Sequence, residues 1–437
     1  MSGKIKGEIQ RLVESGHLHE AKEMVQQYRL INPTDKELFS IEAVVDLMAG
    51  NLTSAEQVIR MGLVLNKEDP DIWFNFGYLN ELKGRTDEAV ECYKEAKSKA
   101  DSELKKQIDN ILENLLNAQG QYKINAEENE SLREPLVSIL IPTYNMKEYL
   151  KETIDSVLAQ DFEDLEVVIG DDGSMDGTDI LMEQYKYNKK IRYIRNDRNL
   201  GPSENSRKLL YEHAKGKYVL GINHDDYLIQ TDYIRNAVSI LEANPNVTLV
   251  FANVNYKNMQ TGQEGKGTDL DIKDPINGIE YFYNYQTSEY PPIPSTLSSV
   301  YRRRDAIKMG CLLEEVYSQD TFLYLKLMLL GDVAFIKDHV GVYRVHDKSL
   351  TRNMPVGNEM LTIREFERLY SFAAAMELNK AKLDVWLQIR VLSYMRWRLA
   401  VLWSVNKKYA LKILLEVSEK YENVFNSIAA SIQLFNK

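Results

Sequence analysis

The chain has 437 residues, a formal net charge of −11 and a sequence pI near 5.3. Its length predicts two or three domains, and its acidity argues against non-specific binding to nucleic acid or to an anionic membrane surface. The N-terminus lacks the apolar core of a signal peptide, and no uncharged apolar run could span a bilayer. Cys92 and Cys311 fit reduced thiols, so we expect a cytoplasmic protein without a transmembrane segment.

Residues 1–118 carry a repeat with a period of 34 residues. Six small residues recur at this spacing: Gly16, Gly50, Gly84, Ala21, Ala55 and Ala89. Paired helices with this period are typical of tetratricopeptide repeats, and the segment resembles that family, most clearly at Trp73-x-x-Phe76-Gly77. We expect three helix pairs covered by a last helix over Ser102–Leu116, and an arbitrary helical bundle is the weaker alternative.

Short apolar strands alternate with helices over residues 136–350, after a polar, acidic linker at 119–135. The predicted strands are Val137–Ile141, Leu165–Ile169, Ile191–Ile194, Tyr218–Ile222, Val247–Val254, Ser298–Arg302, Val333–Ile336 and Val340–Arg344. Such alternation predicts an α/β domain with a doubly wound, mostly parallel sheet. We expect residues 257–275 to form a long functional or mobile loop and residues 351–437 to form a helical C-terminal region.

Polar motifs follow several of these strands, and ligands of open α/β sheets bind at the carboxyl ends of strands. The motifs are I-P-T-Y-N (141–145), D-D-G-S-x-D-G-T (171–178), N-x-G-P-S (199–203), N-H-D-D-Y (223–227), S-Q-D (318–320) and Y-R-V-H-D-K-S (343–349). In this order they resemble the family 2 glycosyltransferases of the GT-A fold, over about residues 136–350. The resemblance implies transfer of a sugar from a nucleotide diphosphate to an acceptor, with inversion at the anomeric carbon.

A nucleoside needs a polar strand end with an aromatic surface nearby, which Thr143, Tyr144 and Asp172 can supply, although a plain turn is the alternative for the first two. The Asp172 carboxylate can accept from the uracil imide, and Asp171 is expected to brace the loop. Together with the resemblance, this predicts the following nucleotide-sugar-binding residues: Pro142, Thr143, Tyr144, Asn145, Asp171, Asp172, Asn199, Arg207, Asn223, Asp225 and Arg344. Arg207 lies one position later than the family's arginine, a rotation of ~100° on a helix.

Asp225 and Asp226 adjoin each other after an apolar strand, where two carboxylates would repel strongly without a counter-ion. Hard oxygen ligands suit Mg²⁺ or Mn²⁺, and the resemblance adds His346 as a third metal ligand. The family's D-x-D-D reads N-H-D-D here, so Asn223 occupies the first position, from which an amide can still hydrogen-bond a ribose hydroxyl. A solvated acidic turn is the alternative.

Inversion needs a base on the acceptor side, and the resemblance places it at the aspartate of an E-D pair that opens a helix. The pair reads Gln319-Asp320 here, so Asp320 is the predicted catalytic base. A carboxylate in the first turn of a helix can also serve as a cap, which is the alternative.

We therefore expect a metal-dependent, inverting glycosyltransferase that uses a UDP-sugar, with homo-oligomerisation left open. A protein or peptide acceptor, such as flagellin or a secreted peptide, fits the helical repeats, which build surfaces for peptide segments. A cell-envelope polysaccharide or lipid-linked glycan is the competing acceptor. A non-catalytic tetratricopeptide scaffold with a degenerate transferase domain is the third alternative. For the C-terminal helices, packing on the catalytic domain or on a second subunit is favoured over a membrane-surface helix.

Overall fold

The computed structural model describes residues 2–120, 134–272, 275–314, 318–347, 357 and 359–435. The chain divides into two compact units. Unit 1 comprises Met1–Arg133, Lys308–Glu314 and Glu367–Lys380, and unit 2 comprises Glu134–Ile307, Glu315–Phe366 and Ala381–Lys437. Residues 121–133 of the predicted linker lie outside the described residues, as do residues 348–356, which include the end of the last motif.

Three helix pairs and a seventh helix make up most of unit 1. These helices are α1 (Ser2–Glu14), α2 (Leu18–Ile31), α3 (Glu37–Met48), α4 (Leu52–Leu65), α5 (Pro70–Leu82), α6 (Thr86–Lys99) and α7 (Ser102–Gly120). Each pair turns at a glycine with a left-handed φ, 80° at Gly16, 74° at Gly50 and 69° at Gly84, where other side chains would be strained. The 34-residue spacing thus marks the same turn in each pair, while membership of the tetratricopeptide family stays a prediction.

The third pair shows what the small residues accomplish. Gly77 on α5 lies against the ring of Tyr93 on α6, and a Cβ at Gly77 would come within 2.7 Å of that ring. Tyr93 is fully buried, and its hydroxyl donates to Glu81. Helix α7 adds Ile108 and Leu112 to the apolar cluster around Tyr93, so the predicted covering helix is present.

Unit 1 also contains the second half of α15 (Glu359–Ala375). Arg368 on this helix donates to Oε1 of Gln57 at 2.8 Å and to Oε1 of Glu42 at 3.1 Å. Phe372 meets the fully buried Phe39 edge to face, with ring centroids 6.4 Å apart. The first two helix pairs therefore pack against a segment of their own chain that lies 311 positions beyond Gln57.

Unit 2 is built on one mixed sheet. Its strands are β1 (Val137–Thr143), β2 (Leu165–Asp171), β3 (Ile191–Arg195), β4 (Tyr218–Gly221), β5 (Tyr227–Leu228), β6 (Val247–Asn258), β7 (Glu264–Lys266), β8 (Ser299–Arg302) and β9 (Asp332–Val345). They lie in the order β3-β2-β1-β4-β8-β6-β9-β5, with β7 paired to β6. Strands β3, β2, β1 and β4 run parallel, and β8 is antiparallel to both of its neighbours. The predicted α/β fold class is confirmed.

The other helices of the chain follow α7 in sequence. They are α8 (Lys147–Leu158), α9 (Thr178–Met182), α10 (Pro202–Lys208), α11 (Tyr233–Ala243), α12 (Gly278–Asn284), α13 (Arg303–Lys308), α14 (Gln319–Leu330), α15, α16 (Lys380–Val405), α17 (Lys407–Lys420) and α18 (Glu422–Phe435). Among the described residues, no helix is both long enough and apolar enough to cross a bilayer. Sequence analysis did not predict α11, and the two strands predicted at 333–344 form the single bulged strand β9. Part of the predicted 257–275 loop is a hairpin between β6 and β7.

The parallel strands end together at one edge of the sheet. Thr143 at the end of β1 lies opposite Asp171 at the end of β2, and Gly221 at the end of β4 lies opposite Leu140. The strand residues beneath this edge are fully buried apolar side chains, among them Ile139 and Ile169. Because the core fixes the three strands, the loops that follow them start from adjacent points.

Candidate active site at the carboxyl ends of the strands

The loop after β2 is held by two buried carboxylates. Asp171 accepts from the Ser174 N–H at 2.9 Å and from the Tyr193 hydroxyl at 2.5 Å. Asp172 accepts from the N–H groups of Leu200 at 2.9 Å and Gly201 at 2.8 Å, and also from the Asn196 amide. Asp171 therefore braces its own loop, and Asp172 joins that loop to the turn that precedes α10.

The loop after β1 is tied to the same region. Asn145 has a left-handed φ of 51°; its N–H donates to Ser174 Oγ, and its side-chain oxygen accepts from the Met175 N–H. Thr143 is buried, and its hydroxyl has no hydrogen-bond partner among the described residues. Tyr144 is 38% exposed. An unpaired buried hydroxyl beside an exposed aromatic ring is a place where a polar ligand could bind.

The turn after β4 carries the paired aspartates, which point in different directions. The Asp225 carboxylate lies 2.8 Å from Nε2 of His346. The neighbouring His224 of the same turn lies with its Nδ1 at 3.0 Å from the carbonyl oxygen of Pro142. Asp226 is fully buried, and its Oδ1 accepts from the backbone N–H of Arg344 at 2.9 Å. Burial, and then the neighbouring charge of Asp225, raise the pKa of Asp226 well above its usual value. The structure thus brings Asp225 and His346 together and turns Asp226 into the interior.

Arg344 fixes this turn from β9. Its side chain is buried and lies between two aromatic rings, 5.1 Å from the Tyr149 centroid and 4.4 Å from the Tyr227 centroid. Its guanidinium donates to the backbone carbonyl of Asp225 at 2.6 Å and pairs with Glu152. A predicted nucleotide contact at Arg344 therefore competes with bonds that the side chain already makes within the protein.

Helix α8 supplies residues that the sequence analysis missed. The ring of Tyr149 stacks on His346 at 5.4 Å, and the Thr153 hydroxyl lies 2.8 Å from the His224 carbonyl and 2.7 Å from the Asp226 carbonyl. Tyr149, Glu152 and Thr153 occupy positions i, i+3 and i+4, which share one face of a helix. That spacing was the available signal, because a helix between two strands of a parallel sheet turns one face toward the strand ends.

The N-x-G-P-S motif leads into α10, with Gly201 as its N-cap residue and Pro202 in its first turn. The side-chain oxygen of Asn199 accepts from the Gly201 N–H at 2.8 Å, while Arg207 forms an ion pair with Glu204 one turn earlier. Asn205 was not predicted, but it donates to the Gly170 carbonyl at 2.8 Å. A side chain on Gly170 would collide with Asn205, which explains why the end of β2 carries a glycine. Asn223, the remaining predicted contact, is exposed at the end of β4.

Asp320 lies in the first turn of α14. Its carboxylate accepts from the N–H of Thr321 at 2.8 Å, and burial raises its pKa above the usual value for aspartate. Tyr285 and Tyr324 lie close enough to interact with its charge. A carboxylate with a raised pKa binds protons better, which suits a general base.

The donor set around Asp225 is small. Within the ranges that the structure describes, no group of three or more His, Cys, Asp or Glu side chains is arranged to hold a metal ion. Asp225 and His346 supply one carboxylate and one imidazole. Mg²⁺ and Mn²⁺ sites in phosphate-handling proteins commonly use one or two protein ligands and complete the shell with phosphate oxygens and water.

Residues 138–308 match the family model described as glycosyl transferase family 2. This segment, which contains most of the sheet, is therefore similar to the family 2 glycosyltransferases. The matched segment includes the loops after β1, β2 and β4, and it ends before Asp320 and His346. Asp320 and His346 therefore lie outside the segment that the family model covers.

Curated relatives match parts of this chain, and two of them serve as examples. An uncharacterised glycosyltransferase of Rickettsia felis is 37% identical over 107 residues, covering 24% of this chain and 17% of its own. Chondroitin synthase of Escherichia coli is 40% identical over 98 residues, covering 22% of this chain and 14% of its own. The match thus spans less than a fifth of the length of either relative.

Among solved structures, residues 1–349 of Staphylococcus aureus TarS in complex with UDP-GlcNAc give a TM-score of 0.49 at 18% identity. The likeness covers 66% of this chain and 79% of that one. A likeness of this size says nothing about a donor or a metal of the present chain.

Proposed function

We propose that this chain is an inverting glycosyltransferase that moves a sugar from a UDP-sugar to an acceptor hydroxyl. The observation that carries the proposal is the Asp225–His346 pair, held at 2.8 Å beside the ends of β1 and β4 in a glycosyltransferase domain. A hydrogen-bonded carboxylate and imidazole at that edge suit the charge of a nucleotide diphosphate and its cation. A degenerate scaffold would have no reason to keep both side chains fixed there.

Donor binding is assigned to the loops after β1 and β2. The unpaired hydroxyl of Thr143 and the exposed ring of Tyr144 offer a polar group and a stacking surface to a nucleoside. Asp172 already accepts three N–H groups, so in this proposal it mainly shapes the nucleoside site. A direct contact to the uracil imide would use its remaining acceptor capacity.

For the cation, the residues present fit Mn²⁺ or Mg²⁺ through Asp225 and His346. Asp226 fits less well, because one of its carboxylate oxygens accepts from the Arg344 N–H inside the protein and the other is buried, without a hydrogen-bond partner among the described residues. We therefore assign the cation to Asp225 and His346 and give Asp226 the task of holding the turn. When bound, such a cation offsets the negative charge that develops on the departing diphosphate.

Asp320 is the proposed base. Its raised pKa comes from burial, and this favours taking a proton from the acceptor hydroxyl as that oxygen attacks the anomeric carbon. Attack from the side opposite the leaving diphosphate gives inversion. The proton ends on Asp320, and the diphosphate leaves with the electron pair of the broken bond.

The acceptor is proposed to be a hydroxyl of a glycan, as in a cell-envelope polysaccharide or a lipid-linked glycan. The relative named chondroitin synthase supports this choice. A protein or peptide acceptor is the second candidate, and the repeated helix pairs of unit 1 favour it. That argument is weakened by Arg368 and Phe372, since both occupy positions against the first two pairs.

A calorimetric titration with UDP tests the proposal, in Mn²⁺ and in EDTA. Asp225→Asn should remove the difference in UDP affinity between the two conditions while leaving the melting temperature within a few degrees. Asp226→Asn is the matched control: it should preserve the melting temperature and the Mn²⁺ dependence, because the amide oxygen can still accept from the Arg344 N–H. Equal UDP affinity of the wild-type chain in Mn²⁺ and EDTA would exclude the cation-assisted mechanism.

A further inference from the structure

Helix α16 presents apolar side chains on both of its faces. One face is buried and includes Trp386 and Leu402. Other apolar side chains of the helix are exposed: Val385 at 59%, Ile389 at 45%, Trp397 at 39% and Trp403 at 38%. The exposed positions of α16 thus mix these large apolar side chains with polar and charged ones such as Lys382 and Arg396, as in a helix that lies at a boundary between apolar and aqueous surroundings.

Basic residues follow this face directly. Val405 is 69% exposed at the end of α16, and the exposed Lys407 and Lys408 open α17 two residues later. Helix α17 then exposes Leu411 at 48% and Leu415 at 61%. Apolar and cationic side chains therefore alternate along the exposed surface of two consecutive helices.

The charge of this segment is opposite in sign to that of the whole chain. Residues 381–420 contain eight Lys and Arg residues, of which Arg390 and Arg398 are buried, and three Asp and Glu residues, whereas the chain as a whole has a net charge of −11. Charges on an exposed surface act over about 10 Å at physiological ionic strength, so a local basic surface attracts anions whatever the total charge. The overall acidity excludes non-specific attraction of the whole molecule, but it does not exclude a local one.

We propose that this aromatic–basic surface, made of Trp397, Trp403, Val405, Lys407, Lys408, Leu411 and Leu415, docks on the face of an anionic lipid bilayer. Tryptophan favours the headgroup region, where its ring is apolar and its N–H is hydrated. Leucine side chains enter the acyl boundary, and lysines reach the lipid phosphates. The two helices lie on such a surface and do not cross it.

The basic charge of the aromatic–basic surface favours an anionic bilayer over a second copy of the chain. A second copy of the chain would bring a like-charged surface if the same faces met, since Lys407 and Lys408 would then oppose themselves. An anionic bilayer satisfies the apolar and the basic residues together. The proposal is independent of the transfer reaction, because lipid binding is measured without donor or acceptor.

The test is sedimentation of the full chain with vesicles of phosphatidylcholine alone and with an equal mixture of phosphatidylcholine and phosphatidylglycerol. Wild-type protein should bind the mixed vesicles roughly tenfold more tightly, and added salt should weaken that binding. Lys407→Glu with Lys408→Glu should reduce binding by roughly tenfold or more. The matched control reverses another exposed adjacent pair, Lys105 and Lys106 on α7, and should leave binding unchanged.

Two further arms address the apolar contribution. Leu411→Gln with Leu415→Gln should reduce binding, whereas Ile180→Gln, at a position that is 74% exposed on α9, should not. If the variants do not fold, quenching of wild-type tryptophan fluorescence by brominated lipid decides the question, because the proposal requires exposed Trp397 and Trp403 to enter the interface. Absence of binding to the mixed vesicles, or binding that none of the helix variants alters, would overturn the proposal. So would a concentration-dependent dimer that the same variants dissociate in the absence of lipid.

Discussion

Arg344→Lys tests whether the turn that bears Asp225 must be held rigidly for the donor to bind. The arginine donates to the Asp225 carbonyl at 2.6 Å and is buried between the rings of Tyr149 and Tyr227. Lysine keeps the charge, but its single ammonium cannot lie flat between two rings while it reaches the same carbonyl and Glu152. The change therefore preserves the charge and removes the fixed geometry.

The size of the expected loss in UDP affinity follows from the bonds of Arg344 that lysine cannot make. A hydrogen bond from a charged donor contributes about 1.5–3 kcal/mol, and each cation–π contact contributes about 0.5–2 kcal/mol. The pair with Glu152 adds little, because that carboxylate is 57% exposed and solvent screens it. Loss of about 1.5–3 kcal/mol from the turn predicts UDP binding in Mn²⁺ that is weaker by roughly 10–100-fold.

Arg302→Lys is the matched control for this measurement. Arg302 also donates to backbone carbonyls, those of Val247 and Leu241, and it also lies over a tyrosine ring, that of Tyr218. It pairs in register with Tyr218 at the start of β4, the end of that strand opposite the candidate site. The substitution Arg302→Lys should lower the melting temperature without changing UDP affinity. If Arg344→Lys binds UDP as tightly as the wild type, or if Arg302→Lys weakens UDP binding to the same extent, Arg344 does not act by holding the turn rigid.

Three other changes have expected outcomes. Asp320→Asn should slow sugar transfer roughly 10²–10⁴-fold at unchanged UDP affinity. Because burial raises the pKa of Asp320, a pH–rate profile of the wild type should show kcat falling at a higher pH than it would with an ordinary aspartate as the base. Burial alone would raise the pKa of Glu56, but the charges of Arg60 and Lys83 lower it to about 2. The stability that ionised Glu56 contributes is therefore present above about pH 4.5 and lost as pH falls toward 2. Glu56→Gln should lower the melting temperature at neutral pH, and the melting temperatures of variant and wild type should converge in acid. Gly77→Ala should destabilise unit 1 by about 1–3 kcal/mol through collision with Tyr93, whereas Gly7→Ala, with open space around it, should not, which thermal melts of the two variants would distinguish.

The strand ends could be predicted from the sequence because of the physics of buried parallel strands. Continuous apolar runs such as Val137–Ile141 have few alternatives to a central strand, and the polar residues that follow them must emerge at one edge. The repeat in unit 1 was equally visible, since a left-handed turn at Gly16 and its two equivalents demands glycine. These features depend on local chemistry that a single sequence displays.

The division of labour between Asp225 and Asp226 could not be predicted in the same way. In a turn, two adjacent side chains point in different directions. Which of them faces the ligand depends on the residues from elsewhere in the chain that contact them. Here the N–H of Arg344, from a strand more than a hundred positions later, captures Asp226. The sequence did offer one clue, because Arg344 and His346 are two positions apart and so lie on the same side of an extended chain.

The role of α15 is another feature that periodicity does not reveal. Helical patterning predicted a helix in the C-terminal region, but Arg368 and Phe372 fit their partners Glu42 and Phe39 only through tertiary packing. A hydrophobic or basic residue on a helix looks the same in sequence whether it meets its own unit or a neighbour. Contacts this distant along the chain are set by shape complementarity, for which a single sequence has no local signal.

Turnover of a nucleotide sugar is the measurement that most directly tests the central claim. The full chain would be incubated in Mn²⁺ with a panel of nucleotide sugars, and release of the nucleoside diphosphate followed by chromatography, with Asp225→Asn alongside. The account predicts slow release of UDP from at least one UDP-sugar even without an acceptor, and loss of that release in EDTA and in Asp225→Asn. If no nucleotide sugar is bound or turned over by the wild-type chain, the glycosyltransferase domain is a scaffold and the account is wrong.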